Sequence, residues 1–312
     1  MTISVLRTAD AWWVHTATGA AKIATAATTT GALLADRAAI DAAASDTTTV
    51  PVDSLDLLSP VIAPCRVVAQ MTNYASHVKD AGMEPASIPL TFFRKSSASI
   101  TGPSDAIVKP SHVRFLDYEV EIGLVIGTDI PVGSTIDESN LADYVAGLVV
   151  TNDVSARDIQ LPQTQFYEAK SYPTFTPVGP ALVLLTAAEL KRFGELRLQL
   201  RVNGELRQDM RVAGDMIYSP LQALQSLTRF QDLSAGDLVL TGTPVGTALS
   251  APHKVVALIG SLLPPAVKWK AFFKSQARNP KYLHDGDIVE TTVATDDGAI
   301  DLGAQRNIVK YA

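Results

Sequence analysis

The stretch FLDYEVEIGLVIG, from Phe115 to Gly127, decides the fold. Val, Ile, Leu and Tyr dominate it, which favours a β-strand. Because side chains alternate between the two faces of a strand, Asp117, Glu119 and Glu121 share one face and the apolar residues share the other. One interpretation is the solvent-facing side of an edge strand. The other is a divalent cation bound between the carboxylates, which removes their mutual repulsion.

A third carboxylate can join this pair of glutamates. In VVTNDVSARDIQ, Asp153 follows an apolar run that reads as a strand, where its side chain can converge with the other two. Three carboxylates without suitably spaced His or Cys favour Mg²⁺, Mn²⁺ or Ca²⁺ over Zn²⁺ or Cu²⁺. Spacing alone leaves the metal site and the charged surface both open.

Composition excludes several classes of protein. The chain has 312 residues, of which 47% are hydrophobic and 19% charged, so it can fold around a substantial core. A net charge of −6 argues against a nucleic-acid partner. The longest apolar run, Val255 to Val267, is too short to span a bilayer, and the N-terminus does not resemble a signal peptide. The single cysteine, Cys65, excludes an internal disulfide, and we expect a cytoplasmic protein without a membrane partner.

Local patterns predict a mainly β or α+β protein in two parts. Residues 1–60 predict a small N-terminal α/β domain, with short strands before an Ala-rich helix, GALLADRAAIDAAAS, capped by Thr30. Residues 61–312 predict a β-rich domain with one clear helix, SPLQALQSLTRF, that starts at Ser219-Pro220. Two similar segments, AGDLVLTGT and DGDIVETTV, predict related turns that lead into strands.

Seven segments in collinear order together resemble the fumarylacetoacetate hydrolase family, in particular its bacterial fumarylpyruvate or acylpyruvate hydrolases. The resemblance implies a mixed β-sandwich roll as the catalytic domain, a homodimer, and Glu119, Glu121 and Asp153 as ligands of Mg²⁺ or a similar ion. The segments are MTNYASHVKDAG, FFRKSSASITGPSDAIVKP, LDYEVEIGLVIG, TNDVSARDIQ, AKSYPTFTPVGP, GDLVLTGTPVGTA and LGAQRNIV.

The resemblance also implies a reaction. Substrates of the family are small β-dicarbonyl compounds or 2-oxo acids, whose neighbouring oxygens can bind a hard cation. We expect hydrolysis of a carbon–carbon bond in a β-diketone or acylpyruvate, in the catabolism of aromatic or cyclic compounds. His77 is the candidate base, and Asp80, three residues later, can orient its imidazole if both lie on one helix. The family more often has His-x-x-Glu here, and a surface histidine is the alternative.

Four further residues correspond to positions of the family. Lys170 matches a lysine near the metal that balances the carboxylates, although Pro173 stands where the family usually has Asp. Arg157 and Gln160 match positions that contact substrate or support the site. Thr243 matches a threonine that contacts the substrate carboxylate, but its neighbours also suit an ordinary turn. Lys95 matches a lysine to which we assign substrate binding.

Two questions stay open in the sequence. Residues 247–283 form a longer connection than is common in the family, which predicts a lid, a dimer contact or a pocket wall. The same metal site also suits decarboxylation of a 2-oxo diacid, or hydration or isomerisation of a dienoic 2-oxo acid. A protein that binds a metal or ligand without catalysis is the third alternative.

Overall fold

Two large β-sheets organise the chain. The computed structural model describes residues 2–163, 166–249 and 264–312. The first sheet has ten strands, which lie side by side in the order β4 (Thr49–Val50), β3 (Gly19–Lys22), β2 (Trp12–Thr16), β1 (Ile3–Arg7), β14 (Leu182–Leu184), β11 (Val145–Asn152), β10 (Val120–Ile126), β17 (Leu238–Leu240), β5 (Val67–Gln70) and β6 (Phe92–Lys95).

The second sheet has five strands, in the order β16 (Glu205–Arg211), β15 (Leu196–Val202), β18 (Ile288–Thr295), β19 (Asp301–Tyr311) and β8 (Ile107–Lys109). Two short pairs complete the strands, β12 (Ser155–Ala156) with β9 (Leu116–Asp117) and β13 (Thr176–Pro177) with β7 (Ile100–Thr101). Most neighbours are antiparallel, but β17 with β5, β19 with β8 and β13 with β7 are parallel. The sheets are therefore mixed, as expected.

Short helices connect many of the strands. They are α1 (Thr30–Ala35), α2 (Arg37–Ala44), α3 (Ala75–Asp80), α4 (Leu141–Tyr144), α5 (Arg157–Gln163), α6 (Phe166–Ala169), α7 (Ala187–Leu190), α8 (Pro220–Leu227) and α9 (Pro265–Gln276), with short 3-10 turns at Val52–Ser54, Pro85–Ser87, Ser97–Ser99 and Lys191–Glu195. In the part of the chain that the structure describes, no helix combines the length and apolarity needed to cross a membrane.

The ten-stranded sheet is buried on both faces. Ile122 and Leu124 of β10 belong to a core that also contains Leu198 of β15 and Val289 of β18, so this core lies between the two sheets. Val125, on the opposite face of β10, belongs to a second core with residues of α1 and α2. β10 is thus a central strand, and the edge-strand interpretation of its carboxylates is wrong.

The stretch that we predicted as one strand forms two. β9 ends at Asp117 and pairs with β12, whereas β10 begins at Val120 and pairs with β11 and β17. Tyr118 and Glu119 lie between them. The strand changes partner at this point, so simple alternation no longer relates Asp117 to the two glutamates.

The first 60 residues extend the same ten-stranded sheet. β1 pairs with β14, in register Ile3↔Leu184, and β2 to β4 continue outward from it. The boundary at residue 60 stays a prediction. The Ala-rich segment forms two helices instead of one, because Asp36 interrupts it. The predicted cap at Thr30 is wrong by one residue: Thr29 caps the first helix by accepting a hydrogen bond from Ala32 N at 3.1 Å.

Two local predictions are confirmed. α8 begins after Ser219, which forms a capping box with Gln222, and it buries Leu224 and Leu227. The two Gly-Asp segments form the same turn: Asp237 Oδ2 accepts from Ser234 N at 2.8 Å, and Asp287 Oδ2 accepts from His284 N at 2.7 Å. One turn leads into β17 and the other into β18, which lie in different sheets.

Candidate active site

Three buried carboxylates meet where β10 and β11 lie side by side. Glu119, Glu121 and Asp153 each offer one oxygen, and these oxygens lie within 4.8 Å of one another. The strand register produces this convergence, since Val120 pairs with Asn152 and Glu121 with Thr151. Asp153 N also donates to the Glu119 carbonyl at 2.8 Å. The structure thus brings together the three residues that the sequence analysis proposed as ligands, and we call them the carboxylate cluster.

The carboxylate cluster fits a hard divalent cation. Its donors are all oxygens with negative charge, which is the set that Mg²⁺, Mn²⁺ and Ca²⁺ prefer. Burial, and then the neighbouring charges of Asp153 and Glu119, raise the pKa of Glu121 well above its usual range. A cation between these groups would stabilise the ionised form of Glu121.

Two lysines balance part of the charge. Lys170 Nζ donates to Glu119 Oε2 and to Asp153 Oδ2, both at 2.6 Å, as the family resemblance implies. Lys95 Nζ donates to Asp153 Oδ1 and, at 2.9 Å, to the carbonyl of Phe175. Lys95 is fully buried and does not line the cavity described below. The structure thus shows Lys95 in contact with Asp153, and its assignment to substrate binding stays a prediction.

Arg157 connects the carboxylate cluster to its surroundings. Its Nη2 donates to Glu119, its Nε donates to Asp117 Oδ2 at 2.8 Å, and its Nη1 donates to Gln160 Oε1 at 2.8 Å. Burial opposes ionisation of Glu119, but Arg157 and Lys170 outweigh it and hold the pKa of Glu119 below its usual range. Arg157 thus braces the site, one of the two roles that the resemblance offered.

Asp117 lies beside the carboxylate cluster but is not part of it. Its Oδ1 accepts from Tyr118 N at 2.8 Å and Ala248 N at 2.7 Å. Its Oδ2 accepts from Leu249 N at 3.1 Å in addition to Arg157. Sequence analysis noted this residue without giving it a role. Its position two residues before Glu119 in DYEVE was the signal that could have indicated a role, but its hydrogen-bond partners Ala248, Leu249 and Arg157 lie far away along the chain.

A cavity of about 430 Å³ opens next to the carboxylate cluster. Its polar wall includes His77, Gln160, Lys170 and Thr243, and its apolar wall includes Met83, Ile88, Phe93, Leu161, Phe166 and Leu249. Two larger cavities, of about 680 and 710 Å³, lie elsewhere. Among the described residues, the carboxylate cluster is the group of potential metal ligands, and it lies at the smaller cavity.

His77 faces this cavity from α3. Its Nδ1 is buried and has no hydrogen-bond partner in the described ranges. Nδ1 therefore makes no hydrogen bond to Asp80 in this structure. Burial lowers the pKa of His77, and Arg157 and Lys170 act in the same direction, while Glu119 opposes them. The imidazole is therefore neutral at pH 7 and can accept a proton; the catalytic role of Asp80 stays a prediction.

The position of α3 depends on Asp215, which sequence analysis missed. Asp215 Oδ1 accepts from Ser76 N at 2.7 Å, and its Oδ2 accepts from Ser76 Oγ at 2.5 Å. These bonds cap the start of the helix that carries His77, in place of the residue at its own N-cap, Tyr74. A cap supplied from 139 residues along the chain leaves no signal in the local sequence.

Thr243 and the long connection after it can now be placed. Thr243 lines the cavity, but its hydroxyl donates to the Val120 carbonyl and accepts from Gln208 Nε2, both at 2.9 Å. Contact between this hydroxyl and a substrate carboxylate stays a prediction. Of residues 247–283, the stretch 250–263 lies outside the described residues. Before this stretch, Leu249 lines the cavity. After it, Phe273 of α9 packs against Phe115, with 5.7 Å between the ring centroids.

A buried carboxylate cluster that could bind a divalent metal lies beside a cavity of about 430 Å³ on a mixed β framework, which is the arrangement of an enzyme that acts on small molecules. The model of the family described as Fumarylacetoacetate (FAA) hydrolase C-terminal matches residues 66–310, and the chain belongs to this family. The fold that the sequence predicted is confirmed by solved members of the family over the full chain.

Relatives of this chain have several activities in their names. The mitochondrial oxaloacetate tautomerase Fahd2a of Rattus norvegicus is 35% identical over 64% of this chain and 62% of its own length. This chain thus spans less than two thirds of that relative. A probable 2-hydroxyhepta-2,4-diene-1,7-dioate isomerase from Mycobacterium abscessus has a TM-score of 0.74 and 31% identity, covering 100% of this chain and 99% of its own.

A further solved structure is the fumarylacetoacetate hydrolase of Exiguobacterium antarcticum. It has a TM-score of 0.69 and 26% identity, with 100% of both chains covered. Tautomerases, isomerases and hydrolases thus share this framework. The family is established, and the narrower identification as an acylpyruvate hydrolase stays a prediction.

Proposed function

We propose that this enzyme moves a proton at the carbon next to the 2-oxo group of a small 2-oxo acid, and so interconverts its tautomers or double-bond isomers. The observation that carries the proposal is the imidazole of His77, which lies in the cavity beside the carboxylate cluster and whose Nδ1 has no hydrogen-bond partner among the described residues. A base that takes a proton from one atom and returns it to another needs no second reactant.

The residues have separate roles in this reaction. Glu119, Glu121 and Asp153 would hold Mg²⁺ or Mn²⁺, with Ca²⁺ also compatible, and the ion would polarise the adjacent oxygens of the 2-oxo acid. His77 accepts the proton and gives it back. Lys170 keeps a fixed positive charge beside the carboxylates, and Arg157 holds Glu119 and Gln160 in place.

Hydrolysis of a carbon–carbon bond in a β-diketone or acylpyruvate is the second candidate. It is supported by the same neutral imidazole, which can take a proton from water, and by the hydrolase among the structural relatives. Nδ1 of His77 has no hydrogen-bond partner among the described residues, so neither reaction has a carboxylate at that nitrogen to stabilise the protonated base. The names of the tautomerase and the isomerase favour the first candidate.

One experiment separates these reactions. The Mg²⁺-loaded enzyme is incubated with oxaloacetate, acylpyruvates and β-diketones; ultraviolet absorbance follows keto–enol conversion, and mass spectrometry identifies products. We expect isomers of unchanged mass, a reaction lost in His77→Ala and kept in the control His284→Ala. Two fragments with one added water would establish hydrolysis, and carbon dioxide release would establish decarboxylation. No turnover with any compound would reject the enzyme proposal.

Assembly and compartment belong to the same proposal. We infer a homodimer from the family resemblance, and sedimentation equilibrium should give twice the chain mass of 33.2 kDa. A mass equal to one chain would contradict it. The cytoplasmic setting that the single cysteine favours also stays a prediction, since the rat relative is named as mitochondrial.

A further inference from the structure

A second cavity, of about 710 Å³, is lined by α9 and by the segment that precedes β9. It shares no lining residue with the cavity at the carboxylate cluster. Among the described residues that line it, five are basic and none is Asp or Glu. Since the whole chain has a net charge of −6, this concentration of positive charge is a local feature. We call this space the basic cavity, and its basic residues are Lys109, Arg114, Lys270, Lys274 and His284.

The charge of Lys109 is buried without an acidic partner among the described residues. The residue is 7% exposed, and its Nζ donates to the Val113 carbonyl at 2.6 Å. The same nitrogen lies 4.0 Å from the ring centroid of Tyr311. A charge removed from water without a counter-ion is unfavourable, and a carbonyl with an aromatic face compensates it only in part. An anion in the basic cavity would therefore stabilise Lys109.

Two further ammonium groups come from α9, which belongs to the 247–283 connection. Lys270 and Lys274 are four residues apart on this helix, and both are exposed. Like charges at this spacing destabilise a helix, and both residues line the same cavity as Lys109. In the described part of the chain, neither lysine pairs with a carboxylate. An anion between α9 and Lys109 would reduce this repulsion and hold α9 in place.

The two remaining basic side chains are loosely paired with acids. Arg114 Nε lies 3.5 Å from Asp158 Oδ2, and His284 Nδ1 lies 3.8 Å from Asp287 Oδ2. The guanidinium carbon of Arg114 lies 4.8 Å from the ring centroid of Phe273, so the group is stacked on an aromatic side chain. A guanidinium held in this way can donate two parallel hydrogen bonds to a phosphate or a carboxylate.

From these observations we infer that the basic cavity binds a small anion with two or more negative charges, a phosphorylated or polycarboxylated metabolite. Its three lysines and one arginine offer more positive charge than a monoanion would neutralise, and such groups bind phosphate and carboxylate alike. A cleft lined by charges of one sign raises the local concentration of the opposite ion. The cavity volume also lies within the range of small-molecule sites, about 300–1,000 Å³.

The walls of the basic cavity also contact residues that support the carboxylate cluster. The Phe115 carbonyl accepts from Arg157 N at 2.9 Å, and Asn279 Nδ2 donates to the Ala248 carbonyl at 2.8 Å. Arg157 and Ala248 are both held by Asp117 as well. An anion that fixes α9 and the segment before β9 should therefore also order the surroundings of Asp117. The inference itself does not depend on the proposed reaction, because it concerns a different cavity.

Binding is tested by calorimetric titration of the full chain with pyrophosphate and with citrate. No metal is added, so that neither anion can bind an ion at the carboxylate cluster. We expect at least one anion to bind, and Lys109→Met and Lys274→Gln each to weaken this binding at least about tenfold. The control Lys268→Gln also removes one charge from α9, but Lys268 does not line the basic cavity, so the affinity should not change.

The two anions distinguish the two ligand classes. Binding of pyrophosphate alone would establish a phosphorylated ligand, and binding of citrate alone a polycarboxylate. No binding of either anion at about 1 mM would overturn the inference. Equal affinity in the wild type, Lys109→Met and Lys274→Gln would overturn it as well. Lys274 is exposed, so Lys274→Gln keeps the test valid if Lys109→Met does not fold.

Hydrogen–deuterium exchange locates the bound anion. At saturation it should slow amide exchange at least about threefold in α9 and in residues 113–117, while α8 serves as the internal control. Lys274→Gln should show no slowing at an anion concentration that saturates the wild type. Binding without any change of exchange in α9 would place the anion elsewhere and reject the basic cavity as its site.

Discussion

Burial shifts the pKa of His77 and the pKa of Glu121 in opposite directions. Removal from water disfavours a charged group, so burial lowers the pKa of the imidazole and raises that of the carboxyl. Both groups are therefore inclined to be neutral while no cation is near. When an ion binds, the imidazole of His77 stays neutral, whereas the carboxyl of Glu121 is expected to ionise.

The lowered pKa of His77 predicts the pH dependence of activity. A base whose pKa lies below the ordinary 6.5 is protonated only at lower pH, so kcat/KM should stay constant from pH 8 to 6.5 and fall below it. A profile of kcat/KM against pH measures this fall at low pH. The control His284→Asn, at an exposed histidine, should reproduce the wild-type profile. A fall of kcat/KM that begins above pH 6.5 would contradict a neutral His77.

The change Glu121→Gln should separate metal binding from stability. Loss of a negative ligand should weaken Mn²⁺ binding by at least about tenfold, measured by calorimetric titration. Without metal, the melting temperature should stay equal or rise, because the variant removes a carboxyl that burial and then its neighbours Asp153 and Glu119 keep from ionising. The control is Glu290→Gln. Glu290 lies on β18 and forms a loose ion pair with Arg306, with 3.6 Å between its Oε1 and Arg306 Nε. Unchanged Mn²⁺ affinity in Glu121→Gln would exclude it as a ligand.

At the scale of elements, α3 should depend on its remote cap. Asp215→Asn removes the charge that accepts from Ser76, which should cost about 1 kcal/mol of folding free energy and loosen the helix that carries His77. We expect kcat to fall about tenfold while Mn²⁺ affinity stays constant, since the carboxylate cluster is not touched. Steady-state kinetics and calorimetry measure the two effects. The control is Asp232→Asn, which changes an acceptor for Val132 N at an exposed loop. A loss of metal affinity with constant kcat would reject this role.

A change at Asp117, the last residue of the short strand β9, should affect both the metal affinity and the KM for the substrate. Asp117→Asn removes the charge that holds Arg157 and, through it, Glu119. Residues that support metal ligands typically contribute about 10- to 100-fold in affinity, so Mn²⁺ binding should weaken by that range. KM should rise as well, because Asp117 also holds Leu249 in the cavity wall.

Asp158→Asn is the matched control for Asp117→Asn. Asp158 is also buried and accepts from Arg114 N and Phe115 N in the segment just before β9, but it has no bond to the side chain of Arg157. It should lower stability without changing Mn²⁺ affinity. If both variants weaken metal binding equally, the effect of Asp117 is general destabilisation.

Sequence predicted features that depend on neighbours along the chain, and also the convergence of Asp153 with the two glutamates, but it missed other contacts that depend on strand partners. The spacing of Glu119 and Glu121 and the start of α8 are local, and both are as expected. The separation of Asp117 from the glutamates arises because β9 pairs with β12 and β10 with β11. The cap of α3 comes from Asp215, and no periodicity in the sequence marks a contact at that distance.

At the scale of the whole molecule, the N-terminal strands continue the catalytic sheet. Deletion of residues 1–60 would leave β14 as an unpaired edge and expose apolar residues that now pack on Val5 and Val14. We expect the remaining chain to aggregate, as measured by light scattering beside the full chain. A monodisperse fragment with a cooperative thermal transition would instead establish residues 61–312 as an independent domain.

The double use of Asp117 has a consequence for protein engineering. One carboxylate fixes the backbone of Ala248 and Leu249, where the 247–283 connection begins, and also orients Arg157 next to the carboxylate cluster. A chimera that receives this connection from a relative, in order to acquire a new substrate, would therefore inherit an altered metal affinity with it. Substrate range and ion occupancy should vary together across such chimeras unless the two backbone amides of the graft still reach Asp117.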